Sequence, residues 1–219
     1  MIDLARRDGV TRLVLVRHGE TEAAKTGVIA GRLDPPLSER GVEQVQAIGA
    51  WLSAAPLAAV YSSTSGRALA SARVIAEPHG LEPVPEHDLR EIDFGVIEGL
   101  TFAQVAERHP EIAAAWLSHP HELAFPGGEC VASLRERVVR AVDAIVRRHP
   151  GAAAALVCHA GPIRLLVGDA LGLMPAAAFQ VGCRHGSVTV LDVECERRMV
   201  MALDVTCPSA ADLAAPAKP

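Results

Sequence analysis

With 219 residues, half of them hydrophobic and 21 % charged, the chain carries enough apolar matter for one sizeable core and is globular rather than disordered. A net charge of -5 leaves no general basic footprint, so nucleic acid is not an expected partner and an anion would have to be caught by a local cluster of cations. No run approaches the roughly 18 apolar residues of a membrane span, and an aromatic share of only 3 % leaves Ala, Val and Leu to fill the core.

The first ten residues, "MIDLARRDGV", are polar and mixed, and read as a loose leader without the apolar stretch of a signal peptide. "RLVLV" is an unbroken apolar run, the mark of a strand buried on both faces, and Arg17 and His18 follow it directly. "SERGVEQVQAIGAWLS" predicts a helix with Ser38 as N-cap and an apolar stripe of Val42, Val45, Ile48 and Leu52. "LAAVYSS" predicts a second strand, and "SGRALASARVIAEPHG" a helix stopped near Pro78 and Gly80. "LEPVPEHDL" suits an irregular edge strand, because its prolines cannot donate to a ladder. Residues 95–128 read as a loop-rich cap with short helices near "TFAQVAERH" and "EIAAAWLSH".

"GGECVASLRERVVRAVDAIVRRHPG" is the longest helix candidate, with an apolar stripe of Val131, Leu134, Val138, Val142 and Ile145. The cations of "RERVVR" and "VRRH" are read as its solvated face. Strand "AAAALVCH", helix "GPIRLLVGDALG" and strands "SVTVLDVE" and "VMALDV" complete the series, before an Ala- and Pro-rich tail over 208–219. This alternation predicts an α/β fold over 11–207: a three-layer α/β/α sandwich, its sheet mainly parallel with helices on both faces. Five cysteines without a CxxC are read as reduced thiols of a cytoplasmic protein.

In such sheets ligands bind beyond the carboxyl ends of the strands. Arg17, His18 and His159 fall there, and neighbouring strands would bring both imidazoles into one crevice. Gly19 and Gly161 permit close backbone approach, and a helix starting at Gly161-Pro162 offers free N–H groups to an anion. Arg67 follows the second strand. Two guanidiniums suit phosphate, since each fork gives two parallel charge-assisted bonds. A nucleophilic histidine must be neutral, and Arg17, Arg67 and a protonated His159 would lower the pKa of His18 from its ordinary value of about 6.5. Of the carboxylates Glu91, Asp93 and Glu98, Glu91 is chosen as the acid that protonates the leaving alkoxide, its pKa raised by a bound phosphate dianion. Cys158 is read as a buried small residue rather than a nucleophile. "HPH" at 119–121 has metal-ligand types but no partner spacing, so no metal and no cofactor is expected.

The pieces "LVLVRHGET", "GRLDPPLSERGVEQ", "VYSSTSGRALASA", "LREIDFGVIEG", "FPGGE" and "VCHAGPIR" together resemble the histidine phosphatase superfamily, which includes cofactor-dependent phosphoglycerate mutase. The likeness covers about residues 11 to 193. It implies a phosphoglycerate mutase-like fold, His18 as the residue phosphorylated, Glu91 as proton donor, and Arg17, Arg67 and His159 in the phosphate pocket, with no metal. Ala24 stands where members often carry Asn. Thr21 or Lys25 is expected to supply the lost contact, with Thr21 and Gly161 as auxiliary site residues. "SST" replaces a usual "SSP", and "CHAG" a usual "SHGG".

The expected activity is hydrolysis of a small-molecule phosphate ester through a phosphohistidine, with α-ribazole phosphate as one substrate the resemblance brings in. A mutase is the alternative, disfavoured by the short middle region that would have to shield the phosphohistidine from water. A non-catalytic binding module is the second alternative, disfavoured because a binder has no need of the acid. No membrane partner is expected, and a homodimer is compatible with the chain.

Overall fold

The computed structural model describes residues 9–195 and 197–207, so all but the last two residues of the expected leader, and the expected tail, lie outside the described residues. In chain order the elements are β1 (Thr11–Arg17), α1 (Glu22–Lys25), α2 (Glu39–Leu52), β2 (Leu57–Ser63), α3 (Gly66–Ala76), β3 (Val84–Glu86), α4 (Phe102–Arg108), α5 (Pro110–Ser118), α6 (Val131–Arg148), β4 (Ala153–Cys158), α7 (Ala160–Leu171), α8 (Pro175–Ala178), β5 (Ser187–Glu194) and β6 (Arg197–Thr206). Among the described residues six strands form one sheet in the order β3-β2-β4-β1-β5-β6. The first four of that order run parallel, β5 pairs antiparallel to β1, and β6 antiparallel to β5.

The continuous apolar runs follow from burial on both sides. Leu13 and Leu15 of β1, with Ala154, Leu156 and Cys158 of β4, point into a core shared with α6 and α7. Val14 and Val16, with Ala153, Ala155 and Val157, point into the opposite core under α2 and α3. The sandwich therefore has helices on both faces. Leu15 and Leu156 are in register and both fully buried. Each such leucine stabilises the fold by about 2 kcal/mol relative to exposure.

The helix boundaries have local causes. Ser38 caps α2 by accepting from the Gly41 N–H at 3.0 Å. One expectation fails here: Val42 is 41 % exposed. The buried face of α2 is Gly41, Val45, Ile48, Gly49 and Leu52. It is rotated because the segment after β1 lies against the first turn, where a Cβ on Gly41 would meet the Glu20 carbonyl oxygen at 2.0 Å. Helix α7 begins at Ala160 with His159 as its N-cap residue, one residue ahead of the expected Gly161. The edge strand reduces to Val84–Glu86, as its prolines require.

Candidate active site

Strands β1 and β4 are neighbours, and Arg17 is in register with Cys158. The residues that follow, His18 and His159, therefore leave the sheet side by side, with ring centroids 5.0 Å apart. The backbone of His18 is held on two sides: its N–H donates to the Cys158 carbonyl at 3.1 Å, and its own carbonyl accepts from Gly186 N–H at 3.1 Å. Gly19 is required next because a Cβ there would sit 2.3 Å from the carbonyl oxygen of Gly41.

Hydrogen-bond partners define both imidazoles. His18 Nδ1 lies 2.7 Å from the Gly19 carbonyl oxygen and so carries the hydrogen. Its Nε2 keeps the lone pair and faces Arg67 Nε at 3.3 Å. His159 Nδ1 accepts from Arg67 Nη2 at 3.4 Å, so its Nε2–H donates to Ser63 Oγ at 2.8 Å. Burial first, then Arg67 and Arg17, hold the His18 pKa well below the usual range. Burial first, then His18, Arg67 and Arg17, do the same to His159. The expected protonated His159 is thus corrected: its surroundings keep it neutral, and the two arginines supply the positive charge.

Arg67 is fixed from every side. It donates to the carbonyls of Leu33 at 2.6 Å and Gly31 at 3.0 Å, and to Asp34 Oδ1 at 3.3 Å. Asp34 also accepts from the N–H groups of Gly66 and Arg67, serving as the cap that Ser65 does not supply to α3. Arg17 donates to the Cys183 carbonyl at 2.5 Å and to His185 Nε2 at 2.7 Å.

A cavity of about 400 Å³ gathers Arg17, His18, Thr21, Ala24, Arg67, Glu91, Gly161, Arg164 and His185 on its wall. His159 lies just behind this wall, 1 % exposed. Of the three candidate carboxylates only Glu91 reaches the cavity. Asp93 pairs with Arg32 at 2.9 Å, and Glu98 accepts from the backbone N–H groups of Gly31, Arg32 and Leu33. Glu91 Oε2 accepts from Gly161 N–H at 3.2 Å, so this N–H at the start of α7 is taken by a side chain of the chain itself. A Cβ on Gly161 would lie 2.3 Å from Glu91 Oε1.

Two expectations around Ala24 resolve differently. Thr21 lines the cavity, but its hydroxyl caps α1 by accepting from Ala24 N–H at 3.3 Å. Lys25 turns away and pairs with Glu22 at 3.0 Å with nearly half of its side chain exposed, so it supplies no contact at the cavity. The thiol of Cys158 is fully buried, and that burial raises its pKa, as suits a core residue rather than a nucleophile. A larger depression of about 1090 Å³ between α6, α7 and β6 carries none of these groups, and its Asp143 and Asp169 are paired with arginines.

Sequence reasoning missed His185 and Arg137. His185 stands 5.4 Å from His18, centroid to centroid, and burial beside Arg17 and Arg67 lowers its pKa to about 3. It arrives because β5 is antiparallel to β1 and so begins where β1 ends. Arg137 of α6 was read as part of a solvated face. Instead it donates to both Glu129 oxygens at 2.8 Å and to the carbonyls of Asp88, Arg90 and Glu91 at 2.7, 2.7 and 3.0 Å. It clamps the segment that carries Glu91.

Comparison with known proteins agrees with this geometry. The model of the histidine phosphatase superfamily (branch 1) matches residues 13–206. Phosphoserine phosphatase 1 of Hydrogenobacter thermophilus is 35 % identical over 90 % of this chain and 94 % of its own. Among solved structures, YhfR of Bacillus stearothermophilus superposes with a TM-score of 0.84 at 30 % identity, covering 88 % of this chain and 96 % of that one. The α-ribazole phosphatase of Shigella flexneri superposes with a TM-score of 0.81 at 25 % identity, over 89 % and 96 %. A chain with two strand-end histidines, Arg17 and Arg67 beside them and this breadth of likeness belongs to the histidine phosphatase superfamily, and it is a phosphatase of that type.

Proposed function

We propose that the protein hydrolyses small phosphate monoesters through a phosphohistidine on His18 Nε2, without a metal and in the cytoplasm. The observation that carries this reading is the Nδ1–H bond from His18 to the Gly19 carbonyl, which turns an unprotonated Nε2 toward Arg67 and the cavity.

In the first step Nε2 attacks phosphorus, the P–N bond forms and the bond to the ester oxygen breaks. Glu91, protonated, gives its proton to the departing oxygen and becomes a carboxylate. Arg17 and Arg67 meet the charge spread over the equatorial oxygens, and burial strengthens that attraction. In the second step water attacks phosphorus, Glu91 takes a proton from it, and the P–Nε2 bond breaks. Inorganic phosphate leaves and His18 returns to its starting form.

The relatives' names include two esters, phosphoserine and α-ribazole phosphate; the latter remains a candidate here. Release of phosphate from p-nitrophenyl phosphate tests the reading. His18→Ala is expected to lower the rate by at least about 10³-fold, and a chelator is expected to leave the wild-type rate unchanged. Equal rates in wild type and variant would sink the phosphohistidine.

A further inference from the structure

The chain holds seven aromatic residues: four Phe, two Trp and one Tyr. Four of them, Phe94, Trp116, Phe125 and Phe179, line the one cavity that contains His18. Phe125 is also a buried member of the larger core, and Phe94, Trp116 and Phe179 pack against it, so these rings close that core on one side and line the cavity on the other. Phe94 and Trp116 stack at 5.5 Å with planes 10° apart. Phe125 meets both edge-on at 5.1 and 5.6 Å, and Phe102 backs Trp116 from outside at 6.1 Å. Leu123, Ile29 and Val131 extend the same apolar wall. Rings so arranged are rigid and lose little entropy on meeting another flat group.

The charged groups lie at the other end. Arg17, Arg67 and His18 belong to the phosphate cluster, and Arg164 is close enough to Arg17 to act on its charge. Among the described residues of the cavity wall, Glu91 is the only carboxylate. An ammonium on the substrate would have to pair with that group, which the reaction needs as its acid. A small amino- or hydroxy-acid ester would also leave the aromatic wall facing water.

We infer that the ester hydrolysed here carries a flat, apolar ring system on its alcohol half, seated against Trp116, Phe94, Phe125 and Phe179. This rests on the phosphomonoesterase reading above. It gives residues 95–128 the task of choosing the substrate, since Trp116, Leu123 and Phe125 come from that segment and Phe94 immediately precedes it.

The full chain would be assayed on 2-(1-naphthyl)ethyl phosphate, ethyl phosphate and O-phosphoserine. The first two release unactivated primary alcohols, so their intrinsic reactivities are close. The naphthyl ester is expected to exceed ethyl phosphate in kcat/KM by on the order of thirtyfold, which is what burying one bicyclic ring supplies. Phosphoserine is expected not to exceed ethyl phosphate. Trp116→Leu, which keeps an apolar side chain in place, should lower the naphthyl-to-ethyl ratio at least about fivefold. Affinity for 3-(1-naphthyl)propylphosphonate against propylphosphonate reads the wall without catalysis. Turnover with a ratio near one, or with phosphoserine preferred, overturns the inference and leaves the phosphatase reading standing. Ring-selective phosphonate binding without turnover of any ester supports the inference and overturns the mechanism instead. Absence of both overturns both.

Discussion

Glu91 and Gly161 form a pair in which the glycine matters for what it lacks. Gly161 gives its N–H to Glu91 Oε2 and leaves no Cβ to displace Oε1. Gly161→Ala keeps the N–H and adds a carbon 2.3 Å from that oxygen. The carboxyl must then move, and a displacement of about 1 Å at a catalytic group costs up to 10²-fold. The expected result is a fall in kcat/KM, which reads only the steps through loss of the alcohol, of about tenfold to a hundredfold on ethyl phosphate. On p-nitrophenyl phosphate, whose leaving group needs no proton, the fall should be much smaller. Equal losses on both esters would assign Gly161 a merely structural part.

His18, His159, Arg17 and Arg67 were legible because each stands at or shortly after the end of a strand within a short local pattern. His185 was not, because its place depends on the direction of β5. In a wholly parallel sheet only strand ends with β1's polarity reach the crevice. An antiparallel neighbour brings its beginning there instead, and nothing in "CRHGSVTVL" states its direction.

Helix α6 shows how an element can be read correctly and one of its faces misread. Its apolar stripe at Val131, Leu134, Val138, Val142 and Ile145 is buried as the periodicity requires. Arg137 lies beside that stripe, with only 14 % of its side chain exposed. Periodicity separates apolar from polar positions but cannot tell a solvated cation from one that binds a neighbouring loop. Arg137→Met is expected to destabilise the fold by about 2 to 3 kcal/mol, because Glu129, 19 % exposed, is left without its cation. Urea unfolding measures this. The same variant should lower kcat more than it raises KM, since three carbonyls of the Glu91 segment lose their donor together. Arg137→Lys should restore only part of the rate, because one ammonium cannot span five acceptors in a plane. A variant with unchanged kcat would show that the segment holds Glu91 without the clamp.

At the scale of the whole molecule the site couples to stability through pH. His18, His159 and His185 are all held neutral in the folded state, His185 down to about 3. In the unfolded chain each protonates near pH 6.5. Below that pH the unfolded state binds more protons, so stability is fully present above about pH 6.5 and falls as the pH drops toward the folded values. Each neutral histidine contributes up to about 1.4 kcal/mol per pH unit in that window. The urea midpoint is expected to fall steadily from pH 7 to pH 4, and His185→Gln should make that slope shallower by about one histidine's share. Parallel slopes in wild type and variant would mean that His185 titrates normally in the folded protein.

The sequence by itself determined the sandwich, the strand-helix order and the histidines and arginines at the strand exits, because burial on both faces imposes continuous apolar runs and these side chains stand at or just after the ends of those runs. The tertiary structure alone decided which groups meet across the chain: His185 beside Arg17, Arg137 behind Glu91, Asp34 and Glu98 holding the loop around Arg67, and four aromatic rings on one wall. These meetings depend on strand order and direction and on how α6 and the 95–128 segment pack, and such contacts between residues distant in sequence leave no periodic trace along the chain.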